Sequence, residues 1–141
     1  MDERRKNLFV FKAPKDHSKL KKVIHWYNPF VHPSIMLRAD VINEIGYYPE
    51  EYETLQDHAF FFKVIKSFKT MVIQEVLVEY EVSPSAISST KRRSQAGNRI
   101  KLFIREFKFG FYPITGLIRA VMTYLTPQKV LIKLKKHIFY R

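Results

Sequence analysis

The chain contains no cysteine, which rules out both a disulfide framework and a thiolate metal site. That composition is compatible with a reducing compartment. Glycine is scarce, four in 141 residues, and no Gly-rich phosphate-cradling loop is present. No Ser-His-Asp arrangement stands out, and no His or carboxylate pair has zinc-ligand spacing, so the residues themselves offer no metal site. Long apolar runs are missing too. The best, from Phe111 to Thr126, falls short of the roughly 20 residues a bilayer crossing needs, and Arg119 interrupts it. The N-terminus Met1-Asp2-Glu3-Arg4-Arg5-Lys6 leads only into the short patch Leu8 to Phe11, so no signal peptide is expected. The most telling scarcity is of acidic residues late in the chain: after residue 90 there is only Glu106.

What is present argues for a folded protein. The hydrophobic fraction is 46% and the aromatic fraction 15%, well above what a disordered tail carries. A chain of this size buries roughly 68% of its unfolded surface, enough for one real core. The net charge of +12 is located, not spread. Residues 1–90 hold 12 Lys/Arg and 12 Asp/Glu, whereas residues 91–141 hold 13 Lys/Arg against that single Glu. The chain thus divides into a neutral segment, 1–90, and a basic, apolar one, 91–141, with the boundary in the Ser-rich stretch Val82 to Thr90.

The neutral segment reads as mixed α/β. Leu8-Phe9-Val10-Phe11, Ser34-Ile35-Met36-Leu37, Met71-Val72-Ile73 and Val76-Leu77-Val78 read as short strands. Asp16 suits the N-cap of a helix through about Tyr27, stopped by Asn28-Pro29. Asp40 to Ile45 reads as a brief helix with Gly46 at its C′ position. Leu55 to Phe68 carries Phe60, Phe61, Val64, Ile65 and Phe68 at helical spacing. The basic segment reads as amphipathic helices throughout. Their stripes are Ile100, Phe103, Ile104, Phe107; then Ile114, Leu117, Ile118, Val121, Leu125; and last Val130, Leu131, Leu134, Ile138.

Among chemistry-bearing residues, Asp57 near a helix start has two readings. A carboxylate held there suits a general base, rigid and favoured as the anion by the helix dipole. Thr54-Leu55-Gln56-Asp57 is also a capping-box-like arrangement in which Asp57 would only tie up a backbone N–H. His32 before Pro33 reads as a structural histidine, His58 as a surface residue and Arg38 as a strand-end charge. Lys91, Arg92, Arg93 and Arg99 suit a solvated helix face, an anion contact, or attraction to anionic lipid or nucleic acid. Of the last two, lipid is favoured. Phe103, Phe107, Phe109, Phe111, Tyr112 and Leu125 among Lys/Arg suit an interfacial helix, and no zinc finger or RNP signature marks a nucleic-acid module.

Four pieces in order carry a family resemblance. Asn28-Pro29-Phe30-Val31-His32-Pro33-Ser34-Ile35-Met36-Leu37-Arg38 resembles the NP-x-x-HP-S/T-x-M-x-R stretch of bacterial family-2 glycosyltransferases, and Glu44 to Tyr48 their xxGGY helix end. Leu55-Gln56-Asp57-His58 stands where that family has its ED helix. Glu75 to Tyr80 with Ser85 to Ser88 is similar to its E-x-L-x-x-Y-R strand and S-x-S loop. Gln56 replaces the usual Glu, and Glu81 the usual Arg.

The resemblance implies the C-terminal, acceptor-side half of an α/β GT-A-type domain over residues 1–90, followed by a basic helical extension over 91–141. It implies inverting transfer from a nucleotide-sugar to a saccharide or lipid-linked acceptor in envelope polysaccharide synthesis. Asp57 is then the catalytic base; His32, Gln56, His58 and Arg38 line the substrate cleft; Lys91, Arg92, Arg93 and Arg99 contact phosphate or membrane. The complete family enzyme uses a divalent metal, Mn or Mg, on a DxD strand. No DxD or Rossmann-like start precedes residue 28, so this chain by itself is expected to bind no cofactor. The implied setting is cytoplasmic, peripheral at the inner face of the plasma membrane, with an anionic membrane surface as partner and no nucleic acid. A non-catalytic membrane- or partner-binding module is the alternative, and a basic nucleic-acid-binding protein the third.

Overall fold

In a computed structural model of the chain, residues 10–79 and 91–126 are described. Five α-helices follow one another: α1 (His17–Val23), α2 (Ala39–Ile45), α3 (Gln56–Ser67), α4 (Arg92–Arg105) and α5 (Phe111–Leu125). A 3-10 turn, His32–Ser34, lies between α1 and α2. Helix α3 is the centre because its apolar face is broad, with Gln56, Lys63, Lys66 and Ser67 leaving only a narrow polar strip. From His58 to Ile65 every residue except Lys63 is buried, and so broad an apolar face needs neighbours on several sides. Around it pack Leu20 and Ile24, Val41 of α2, Leu102 and Phe103 of α4, and Ala120 of α5, in one cluster. The neutral and basic segments therefore share a core. Burial of Phe60, Phe61 and Phe62 supplies about 1.5–3 kcal/mol each.

Helices α4 and α5 are joined by the short connection from Glu106 to Gly110 and run antiparallel. Arg92 Nη2 at the start of α4 donates to the Thr123 carbonyl near the end of α5 at 3.4 Å. The Arg93 guanidinium lies 5.4 Å from the Tyr124 ring centroid. Helix α5 approaches α1 closely at Gly116, where an added Cβ would fall 1.9 Å from the His25 carbonyl oxygen. Only glycine fits there. Helix α2 ends on Gly46 at φ 75°, whose N–H returns to the Ile42 carbonyl at 2.9 Å.

The expected α/β fold is overturned: among the described residues there is no strand and no sheet, and the architecture is a small helical domain, not a GT-A-type domain. The reason lies in pairing. Residues 35–37 and 71–79 contain the apolar runs read as strands, and they do leave the helical conformation. A strand, however, needs a partner's ladder of hydrogen bonds. The 71–79 stretch has one backbone bond to a distant segment, Val72 N to Lys15 O at 3.2 Å, with Gln74 Nε2 reaching the Ala13 carbonyl at 3.3 Å. Ser34 falls in the 3-10 turn, and Met36 stands 97% exposed. Val10 and Phe11 belong to no strand either. Leu8 and Phe9, the Ser-rich boundary with its Ser85 to Ser88 piece, and the last expected helix lie outside the described residues.

Candidate functional site

Two of the resembling motifs, 29 positions apart in sequence, meet at one hydrogen bond. Asn28 Nδ2 donates to Asp57 Oδ2 at 3.0 Å. The Asn28 amide cannot turn round, because its Oδ1 accepts the Phe30 N–H at 3.1 Å in an Asx turn over Pro29. Pro29 is buried and anchors the turn. The donor is thus locked towards the carboxylate by local backbone chemistry.

Asp57 occupies the second residue of α3 and is half-buried. The capping-box reading fails on geometry. The N-cap is Leu55, which has no side-chain cap, and Thr54 Oγ1 is committed elsewhere: it and the Thr54 carbonyl accept from Asn98 Nδ2 at 3.1 and 3.2 Å. Among the described residues, the hydrogen-bond partner of the Asp57 carboxylate is Asn28. Leu55 itself has φ 78°, the only non-glycine residue with positive φ among those described. Such a conformation costs on the order of 1–3 kcal/mol and persists only where surroundings impose it. Here Thr54, buried and tied to α4 through Asn98, fixes the chain just before it, next to Gln56 and Asp57.

Tyr48 and Arg99 complete the surroundings of Asp57. The Tyr48 ring stacks on Phe60, centroids 4.4 Å apart. Burial raises the Tyr48 phenol above its ordinary value, and the nearby Asp57 charge raises it further. His32, exposed, meets Tyr48 edge-on at 5.5 Å, with Nδ1 3.5 Å from the phenol oxygen. Arg99 has a buried Nε without a hydrogen-bond partner among the described residues. Burial lowers its pKa, the neighbouring Arg119 lowers it further, and Asp57 opposes both. The Arg119 guanidinium lies 4.9 Å from the Trp26 ring centroid, and its Nη1 reaches the Trp26 carbonyl at 3.4 Å. A fixed carboxylate, a phenol and a partly orphaned guanidinium can orient a hydroxyl, accept its proton and counter a developing negative charge.

The other expected site residues fall in different places. His58 is not on the surface. It is 1% exposed, stacked on Phe62 and edge-on to Phe103, and its Nε2–H donates to the Ile24 carbonyl at 2.8 Å. Burial brings its pKa down to about 3, so the ring is neutral and part of the core. Gln56 is exposed beside Asp57. Arg38, exposed, precedes α2 as its N-cap residue and is not at a strand end. Lys91 pairs with Glu53, while Arg92 and Arg93 engage Thr123 and Tyr124 and hold α4 to its neighbours. The Asp57 charge acts on Arg99, opposing the effect of its burial.

Asn28 and Tyr48 belong to the site without having been singled out for it. The Asn-Pro pair carried a usable signal, since Asn before Pro favours an Asx turn that fixes the amide. Nothing local marks Tyr48. Among the described residues no three His, Asp or Glu side chains gather as a divalent cation requires. Nor is any described helix long and apolar enough to cross a membrane. No family model, curated protein or solved structure matches the chain.

Proposed function

We propose that this chain supplies the acceptor side of an inverting sugar transfer, with the Asp57 carboxylate accepting the proton of the acceptor hydroxyl. The observation that supports it is the Asn28–Asp57 hydrogen bond, which joins the two most chemistry-bearing motifs of the resemblance at 3.0 Å. As the acceptor oxygen attacks the anomeric carbon, its proton passes to an Asp57 oxygen and the nucleoside diphosphate departs. Asn28 positions the carboxylate. Tyr48 and His32 line the approach, and Arg99 is the residue here best placed to counter the charge of the leaving group. The nucleotide-sugar and the divalent metal of such enzymes would be held by residues other than those described. The acceptor is a saccharide or lipid-linked saccharide, and the setting is the cytoplasmic face of the plasma membrane.

The test is incorporation of labelled sugar into envelope saccharides of the source cell, with the gene intact, deleted, or carrying Asp57→Asn. Deletion and Asp57→Asn should cause the same loss at equal protein abundance. Unchanged incorporation with Asp57→Asn would overturn the reading.

A further inference from the structure

Helix α5 is built inside out. The residues it buries are small, Gly116 and Ala120. The large apolar ones, Phe111, Ile114, Ile118, Val121, Met122 and Leu125, are all exposed. At about 100° per residue these six fall within an arc of about 100°, one continuous stripe along four turns. Phe109, 95% exposed, and Phe111, 75% exposed, extend the stripe into the α4–α5 connection. A water-facing stripe of this kind is covered by something.

Charge and shape identify what covers it. At its Phe111 end the stripe runs into a cleft of about 390 Å³ between the end of α1, the end of α3 and the α4–α5 connection. Lys21, Lys22 and Lys108 line that cleft together with Phe109, Phe111 and Tyr112. None of the three lysines has a carboxylate partner among the described residues, whereas the cleft's fourth lysine, Lys66, is paired with Glu106. From residue 91 onwards the chain carries 13 basic residues and one acidic. An apolar stripe opening onto unpaired lysines has the two features of a surface-lying membrane helix: apolar area for the acyl boundary, and cations for anionic headgroups.

We propose that α5 lies in the surface of an anionic bilayer, its stripe among the acyl chains, with a lipid phosphate held in the lysine-lined cleft. This does not depend on the role of Asp57 and stands or falls separately.

The experiment is co-sedimentation of the full chain with vesicles of phosphatidylglycerol and phosphatidylcholine in equal parts, and with vesicles of phosphatidylcholine alone. The wild-type chain should bind the anionic vesicles, bind the neutral ones far more weakly, and be released by added salt. Ile118→Gln with Met122→Gln should lower partitioning about a hundredfold, from the loss of two apolar anchors. Lys21→Gln and Lys108→Gln should each lower it about fivefold. Unaltered circular dichroism of the Gln variants would show that the fold is kept, since the positions are exposed. Vesicle binding that survives the double Gln exchange, or equal binding to both vesicle types, would overturn the proposal. So would self-association of the wild type that the double exchange abolishes without any vesicle binding, because a second copy would then cover the stripe.

Discussion

Helices α3 and α5 both carry many large apolar residues, yet they end in opposite environments. Seven of the twelve residues of α3 are buried, three of them consecutive phenylalanines. Of the fifteen in α5 only Gly116 and Ala120 are buried. Composition points the wrong way, since α5, with Arg119 as its one charged residue, is the more apolar of the two. What separates them is the size of the residues on the inward face. In α3 that face is large and draws the other helices round it. In α5 it is nearly bare, so the helix sinks against the His25 backbone and leaves its bulky side chains outside. An apolar helix is a core element or a docking element according to where its small residues lie.

Exchanges in α3 should break that contrast most severely. Phe61→Ala removes a 2%-exposed ring from the centre and should cost about 3–5 kcal/mol in chemical unfolding. Gly116→Ala should follow at about 1–3 kcal/mol, because the new Cβ meets backbone and not a movable side chain. A loss below a few tenths of a kcal/mol would show that α5 does not approach α1 so closely. The third expectation concerns pH and His58. Its folded pKa of about 3 lies below the ordinary value of 6.5, so the unfolded chain binds the extra proton first. The stability that neutral His58 confers is complete above pH 6.5 and lost as pH falls from there towards 3. The slope is about 1.4 kcal/mol per pH unit, and it should vanish from unfolding curves of His58→Phe. The smallest change should be that of Ile118→Gln, within about 0.5 kcal/mol of wild type, since its side chain already faces solvent.

The helices were legible in the sequence where side-chain periodicity decides them. The Asp40 to Ile45 helix with its Gly46 terminator and the long helix through Phe60 to Ile65 both follow from local pattern and local backbone chemistry. The strands were not legible, because pairing is a property of two segments. Met71 to Ile73 and Val76 to Val78 have strand-like composition but no ladder. Exposure was the other blind spot. Ile114, Ile118 and Leu125 share a stripe with Leu117, but only Leu117 of these packs partly against the core. At the site, Asp57 and the Asn-Pro turn could be found by type and spacing. The bond between them could not, because it depends on how α3 docks beside residue 28. His58 misled for a related reason: about 100° round the helix from Asp57, it faces the phenylalanines of the core.

On the proposed function, the Asp57 carboxylate is held for proton transfer and not for stability. The direct measurement pairs the unfolding free energy with the rate of sugar transfer in the membrane fraction, for wild type, Asp57→Asn and Gln56→Glu. An amide at position 57 still accepts the Asn28 N–H, so Asp57→Asn should lie within about 1 kcal/mol of wild-type stability. It should nevertheless lose about 10²–10⁴ in rate, the usual contribution of a general base. Gln56→Glu, at an exposed position, should retain transfer. Near-normal turnover by Asp57→Asn, or a loss of rate accounted for by unfolding, would contradict the assignment.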